Sequence, residues 1–122
     1  MAVKEIESET SAGQAGFDMA NLRPDRTGLP FVVFISQKGG ARHDVRVKLA
    51  RLAKVRPSDM ITVAVRPAPR MVRGRISARE FDLVKRWIEL NERALVDYWD
   101  GVIEYTEEVL DAIKPLAEAD RP

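Results

Sequence analysis

The sequence predicts an α+β domain: an antiparallel sheet of about four strands, a long amphipathic helix packed on one of its faces, and a short C-terminal helix. Three observations carry this. Apolar, β-branched and alternating runs fill residues 31–77 with no helical period between them. A 3.6-residue period starts abruptly at Ser77 and holds to Trp99. Strand patterns and helix patterns therefore come in blocks, the order that separates α+β from alternating α/β domains. A chain of 122 residues, 32% charged and 45% hydrophobic, has the size and composition of one globular domain.

Residues 1–28 are rich in Glu, Ser, Ala and Gly and show no apolar period. They offer little surface to offset their ordering entropy, so they are expected to form a disordered or loosely attached tail before a domain at 29–118. The run "FVVFIS" (31–36) is apolar on both faces and short, the pattern of a well-buried central strand. "HDVRVKL" (43–49) alternates, with Val45, Val47 and Leu49 on one face and Asp44, Arg46 and Lys48 on the other. Gly39 and Gly40 lie between these runs, which predicts a hairpin with a loop of roughly five or six residues.

"MITVAVRP" (60–67) alternates again, and "PAP" (67–69) must be a turn or an edge, because proline has no amide donor for a central ladder. "RMVRGRIS" (70–77) reads as a fourth, weaker strand with Val72 and Ile76 inward and Gly74 as a bulge. Ser77 followed by Glu80 is a capping box, with Ile76 and Phe81 at the staple positions. On a wheel of 100° per residue, Phe81, Leu83, Val84, Trp87, Ile88, Leu90, Ala94, Leu95, Tyr98 and Trp99 share one half. This helix should run for about 22 residues and stop at Gly101. A second helix starts at Thr106, buries Val109, Leu110 and Ile113, and ends at Pro115.

The net charge of +1 hides an asymmetry: residues 38–75 hold eleven basic and two acidic side chains, whereas 76–122 hold six and twelve. Lys38, Arg42, Arg46, Lys48, Arg66, Arg70, Arg73 and Arg75 form the candidate binding surface. Arg46 and Lys48 have outward parity on one strand, and Arg73 and Arg75 on another. A sheet face studded in this way attracts phosphate backbones or an acidic protein. Self-association into a homodimer, basic face against acidic helix, is an alternative use of the same charge.

The loop "SQKGGARHDVRVK" (36–48) is not a nucleotide loop. Its lysine precedes the glycines and a strand follows, whereas a phosphate cradle needs glycine, then lysine, then a helix. His43 is the only histidine and there is no cysteine, so neither a thiolate nor a two-histidine metal site can be built. His43 and Asn91 are candidate buried polar residues. Asn91 falls within the apolar half of the helix, where its amide requires partners, and a staple to the sheet backbone is the expectation. Asp82, Glu89 and Glu92 are interleaved with Lys85, Arg86 and Arg93, the pattern of a solvated helix face rather than of paired catalytic carboxylates. No catalytic constellation, metal site or cofactor motif is expected, and no apolar run approaches membrane-span length. The absence of cysteine and of a signal-peptide pattern at "MAVKEIESET" predicts a cytoplasmic protein.

At "LVKRWIELNERALVDYW" (83–99) the sequence resembles a family of small bacterial domains of unknown function. Leu83, Val84, Trp87, Glu89, Leu90, Asn91, Arg93, Leu95 and Trp99 match the family's C-terminal helix. The resemblance implies a bacterial α+β domain, and some members are toxin components of toxin–antitoxin cassettes. Those members carry a Pro-x-His-Phe-His motif in an early strand; here that place reads "GGARHDVRV", so no catalytic role is carried over. The first functional expectation is a non-enzymatic binding module that contacts nucleic acid or an acidic protein. The alternative is a toxin-like or regulatory component of a two-gene cassette.

Overall fold

The computed structural model describes residues 19–51 and 56–121. Five strands form one antiparallel meander in the order β1-β2-β3-β4-β5: β1 (Met19–Leu22), β2 (Val32–Ser36), β3 (Arg46–Ala50), β4 (Ile61–Ala64) and β5 (Arg70–Arg73). Three helices accompany them: α1 (Pro24–Thr27), α2 (Ala78–Trp99) and α3 (Thr106–Ala112). The α+β class is as expected, but the sheet has five strands rather than four.

The fifth strand comes from the segment expected to be a tail. β1 pairs with β2 from Met19↔Ser36 to Leu22↔Val33. Ala20 and Leu22 turn into the core, at 2% and 0% exposure. Thr27 then closes the corner: its hydroxyl accepts from Leu29 N at 3.0 Å, and its carbonyl accepts from Leu116 N at 2.9 Å. The domain therefore includes residues 19–28 and reaches past residue 118, where Arg121 Nε donates to Leu116 O at 3.1 Å. The remainder of the expected tail, residues 1–18, lies outside the described residues.

Alternation places Val33, Ile35, Val47, Leu49, Ile61 and Val63 on the inner face of the sheet, in one cluster with Leu83, Val84, Trp87, Ile88, Leu95 and Tyr98 of α2. The β2–β3 connection, residues 37–45, is longer than expected, and His43 belongs to it rather than to the strand. The bulge is one residue pair earlier than Gly74. Val63 faces Met71 and Thr62 faces Arg73, so Val72 is the extra residue. Met71, not Val72, consequently packs on the core, and Val72 is 37% exposed.

α2 begins at the expected capping box: Glu80 N donates to Ser77 Oγ at 3.0 Å and Ser77 N to Glu80 Oε1 at 2.9 Å. Its buried stripe matches the apolar half-wheel except at Phe81, which is half-buried, and at Leu90, which is 47% exposed on the rim of a groove with Ile103 and Lys114. Asn91 is buried as expected, but its partners are not in the sheet. They are Trp87 O, one turn back, and the backbone of Lys114, beyond α3. Backbone that leaves a short helix needs new partners, whereas sheet backbone already has them in the ladder.

Candidate functional site

The outward face of the sheet gathers four of the candidate cations into two cross-strand rows. Lys48 lies opposite Thr62, which lies opposite Arg73; Arg46 lies opposite Ala64, which lies opposite Arg70. The bulge at Val72 is what returns Arg73 to the outward side after Met71 has turned in. Each row places its two cations two strands apart, about 10 Å, and the rows are about 7 Å from one another along the strands. None of the outward positions in the five strands is a carboxylate.

Among the described residues, Lys38, Arg42, Arg46, Lys48, Arg70 and Arg75 make no ion pair. Arg73 gives one hydrogen bond to Ser58 O at 3.3 Å. Arg66 differs from these. It grips Asp44 with Nε at 2.8 Å and Nη2 at 2.9 Å, and this fork, with the Val45 amide, holds the Asp44 carboxyl at about 2. Arg66 is thus at the surface but already paired, and its charge is balanced by Asp44. Arg42 is exposed in the β2–β3 loop, and Arg75 is exposed beyond β5, outside the two rows.

Beside the rows, the β2–β3 loop and the sheet enclose a cleft of about 440 Å³. Its apolar walls include Met19, Phe34 and Trp99, and its charged rim is Lys38, Arg46 and Lys48, with His43 at one side. The volume falls within the range of small-molecule sites. Phe34 has outward parity, opposite Lys48, but at 9% exposure it is a wall of the cleft and not an open stacking platform.

The loop is pinned, so the cleft is preformed. Lys38 N donates to Trp99 O at 3.0 Å, at the end of α2, and Ala41 N returns to Lys38 O at 2.9 Å. Gln37 Nε2 donates to Glu104 O at 2.9 Å. The His43 ring stacks on Trp99 with centroids 5.5 Å apart and planes at 27°. Gly39, at φ 53°, makes the turn in the left-handed region. His43 Nδ1 lies 2.7 Å from Asp44 O; a carbonyl only accepts, so Nδ1 carries the proton and Nε2 of the neutral ring is an acceptor. His43 is half-buried rather than buried as the sequence predicts; its ring is bonded to Asp44 O and stacked on Trp99, and it lines the cleft.

Asn91 does not join this site: its amide is spent on Trp87 and Lys114. The three large apolar residues of the cleft were not candidates from sequence. Met19 sat in the unpatterned N-terminal segment, while Phe34 and Trp99 read as core. Among the described residues, no group of three or more His, Cys, Asp or Glu side chains could hold a metal ion, and no helix is long and apolar enough to cross a membrane. Searches against family models, curated proteins and solved structures found no match for the chain.

Proposed function

We propose that the protein is a non-enzymatic binding module that docks an acidic partner, nucleic acid foremost, on the outward face of its sheet. The observation that carries this reading is the pair of cation rows, Lys48 with Arg73 and Arg46 with Arg70, on strand positions that include no carboxylate; Asp44, just beyond β3 on the same side, is taken up by Arg66. Two like charges 10 Å apart in a water-like medium repel by about 0.4 kcal/mol. That is small enough to tolerate, yet it gives the fold nothing in return. Cations that stabilise this fold are paired, as Arg66 is with Asp44 and Arg51 with Glu80. A spacing of about 7 Å between rows is on the scale of successive phosphates in an extended strand, which favours a phosphodiester chain over a protein surface.

A cytoplasmic setting belongs to this reading and rests on the cysteine-free composition. The test is a salt titration of binding to mixed-sequence duplex DNA and to single-stranded RNA. Affinity that falls linearly on a log–log plot, by roughly 0.9 per duplex phosphate neutralised, is the expected result. Absence of binding to both at low salt overturns the nucleic-acid reading. Sedimentation at low and high salt then separates an acidic protein partner from a second copy of the chain, because only self-association appears without an added component.

A further inference from the structure

We infer that the cleft between the β2–β3 loop and the sheet is a separate small-molecule site, whose ligand is an organic anion with an apolar body. The walls and the rim ask for different halves of one molecule. Phe34, Met19 and Trp99 present carbon, while Lys38, Arg46 and Lys48 present three cations that make no ion pair among the described residues. An inorganic anion would leave the apolar walls unused, and a neutral apolar molecule would leave the cations unused. An aromatic or aliphatic carboxylate, sulfonate or phosphate uses both. The cleft does not have to be formed by the ligand: Lys38 N on Trp99 O and His43 on the Trp99 ring already hold its loop, so little ordering cost falls on binding.

The site shares Arg46 and Lys48 with the cation rows but not Arg70 or Arg73, so the two can be tested apart. The probe is anilinonaphthalene sulfonate, with uncharged N-phenylnaphthylamine as its partner, titrated into the full chain and read by fluorescence. One sulfonate dye per chain is expected, with the uncharged dye at least about tenfold weaker. Lys38→Ala combined with Lys48→Ala should weaken the sulfonate dye by about tenfold or more. Gly40→Trp, at a lining position where an added Cβ meets nothing within 4 Å and φ is not left-handed, should weaken dye binding by about tenfold or more with the thermal midpoint little moved. Arg70→Ala with Arg73→Ala should leave dye binding unchanged, whatever it does to nucleic acid.

Equal affinity for the two dyes, several sulfonate dyes per chain, no dye binding, or indifference to the Lys38 and Lys48 changes would each overturn the inference. So would a large gain in dye affinity on neutralising Glu5, Glu7 and Glu9 to glutamine in the full chain. That outcome would make the chain's own acidic N-terminal segment the occupant.

Discussion

Asn91 and Lys114 exchange two hydrogen bonds: Lys114 N donates to Asn91 Oδ1 at 2.7 Å, and Asn91 Nδ2 donates to Lys114 O at 2.9 Å. The side-chain amide thus acts as a strand partner for a single residue of backbone. Its second N–H goes to Trp87 O at 3.0 Å. This one residue ties the middle of α2 to the chain that leaves α3 and places Leu116 in the core.

Replacing Asn91 by alanine or leucine leaves the Lys114 N–H and C=O without their partners. These bonds are partly buried, so water offsets some of the roughly 1–3 kcal/mol for each stranded group, and a loss of about 1–3 kcal/mol is expected from denaturant unfolding. Asn91→Asp keeps the acceptor for Lys114 N but removes both donors and buries a charge, so it should be at least as damaging near neutral pH. A loss below about 0.5 kcal/mol for all three would show that water replaces the amide, and the staple would be ornamental.

Glu80 makes an acid-sensitive joint. Its carboxylate takes both arms of the Arg51 fork, at 2.9 and 3.0 Å, while Oε1 also caps α2 through Ser77 N. The Arg51 bonds first, and the Ser77 amide next, pull its pKa down from 4.5 to about 2. The unfolded chain therefore binds a proton at Glu80 at higher pH than the folded chain does, and stability falls as the pH drops from about 5 toward 2. Glu80→Gln should be the less stable protein at neutral pH. Its curve should flatten over this window and approach that of the wild type at the acid end, while Asp44, likewise held at about 2, still contributes a slope of the same sign. Urea midpoints measured across the window give the comparison.

Trp87 is wholly buried, and its indole Nε1 has no hydrogen-bond partner. Truncation to alanine should cost about 3–5 kcal/mol, in line with loss of a core aromatic. Phenylalanine should cost only about 1 kcal/mol, because relief of the stranded donor offsets part of the lost volume. A loss for phenylalanine of about 2 kcal/mol or more, the full cost of the missing volume, would show that the indole nitrogen carries no penalty to relieve.

Gly74 turns the chain out of β5 at φ +88°, and a Cβ there would stand 2.9 Å from Ile61 Cγ1 and 3.1 Å from Ile61 Cα. Gly74→Ala therefore meets both backbone strain and a contact with β4 that cannot swing aside. A destabilisation of about 1–3 kcal/mol is expected, whereas Gly40→Ala, in open space with no left-handed φ, should be within about 0.5 kcal/mol of the wild type.

What could be read from the residues, and what could not, follows from how far apart the interacting groups lie. α2 was legible to within a residue because its signals are local: Ser77 and Glu80 are three apart, and the apolar stripe repeats over six turns. β1 was not, because "MANL" offers only Ala20 and Leu22 to the core, too short an alternation to stand out from the polar run before it. The inward turn of Met71 was hidden by the bulge, since an extra residue inverts parity without leaving a mark in composition. The cations were legible as a cluster but not as rows, and Arg66 was not separable from the others until Asp44 was seen beside it. The cleft joins Met19, the 37–45 loop and Trp99, three places that no local pattern connects.

Arg66, Arg70 and Arg73 lie within a few residues of one another on the chain but in different physical situations. Arg66 spends its guanidinium on Asp44, with a two-point grip whose charge is already balanced. Arg70 and Arg73 project from the outward face of an exposed, bulged edge strand, in line with Arg46 and Lys48. If the face binds a polyanion through point charges, Arg70→Ala with Arg73→Ala should flatten the salt slope by up to about two units and leave the thermal midpoint nearly unmoved. Arg66→Ala should do the reverse: the slope stays within experimental scatter, and stability falls by roughly 1 kcal/mol, the upper range for an exposed pair with good geometry. Binding that weakens equally in both variants would point to diffuse net charge, and the two rows would then have no special part in recognition.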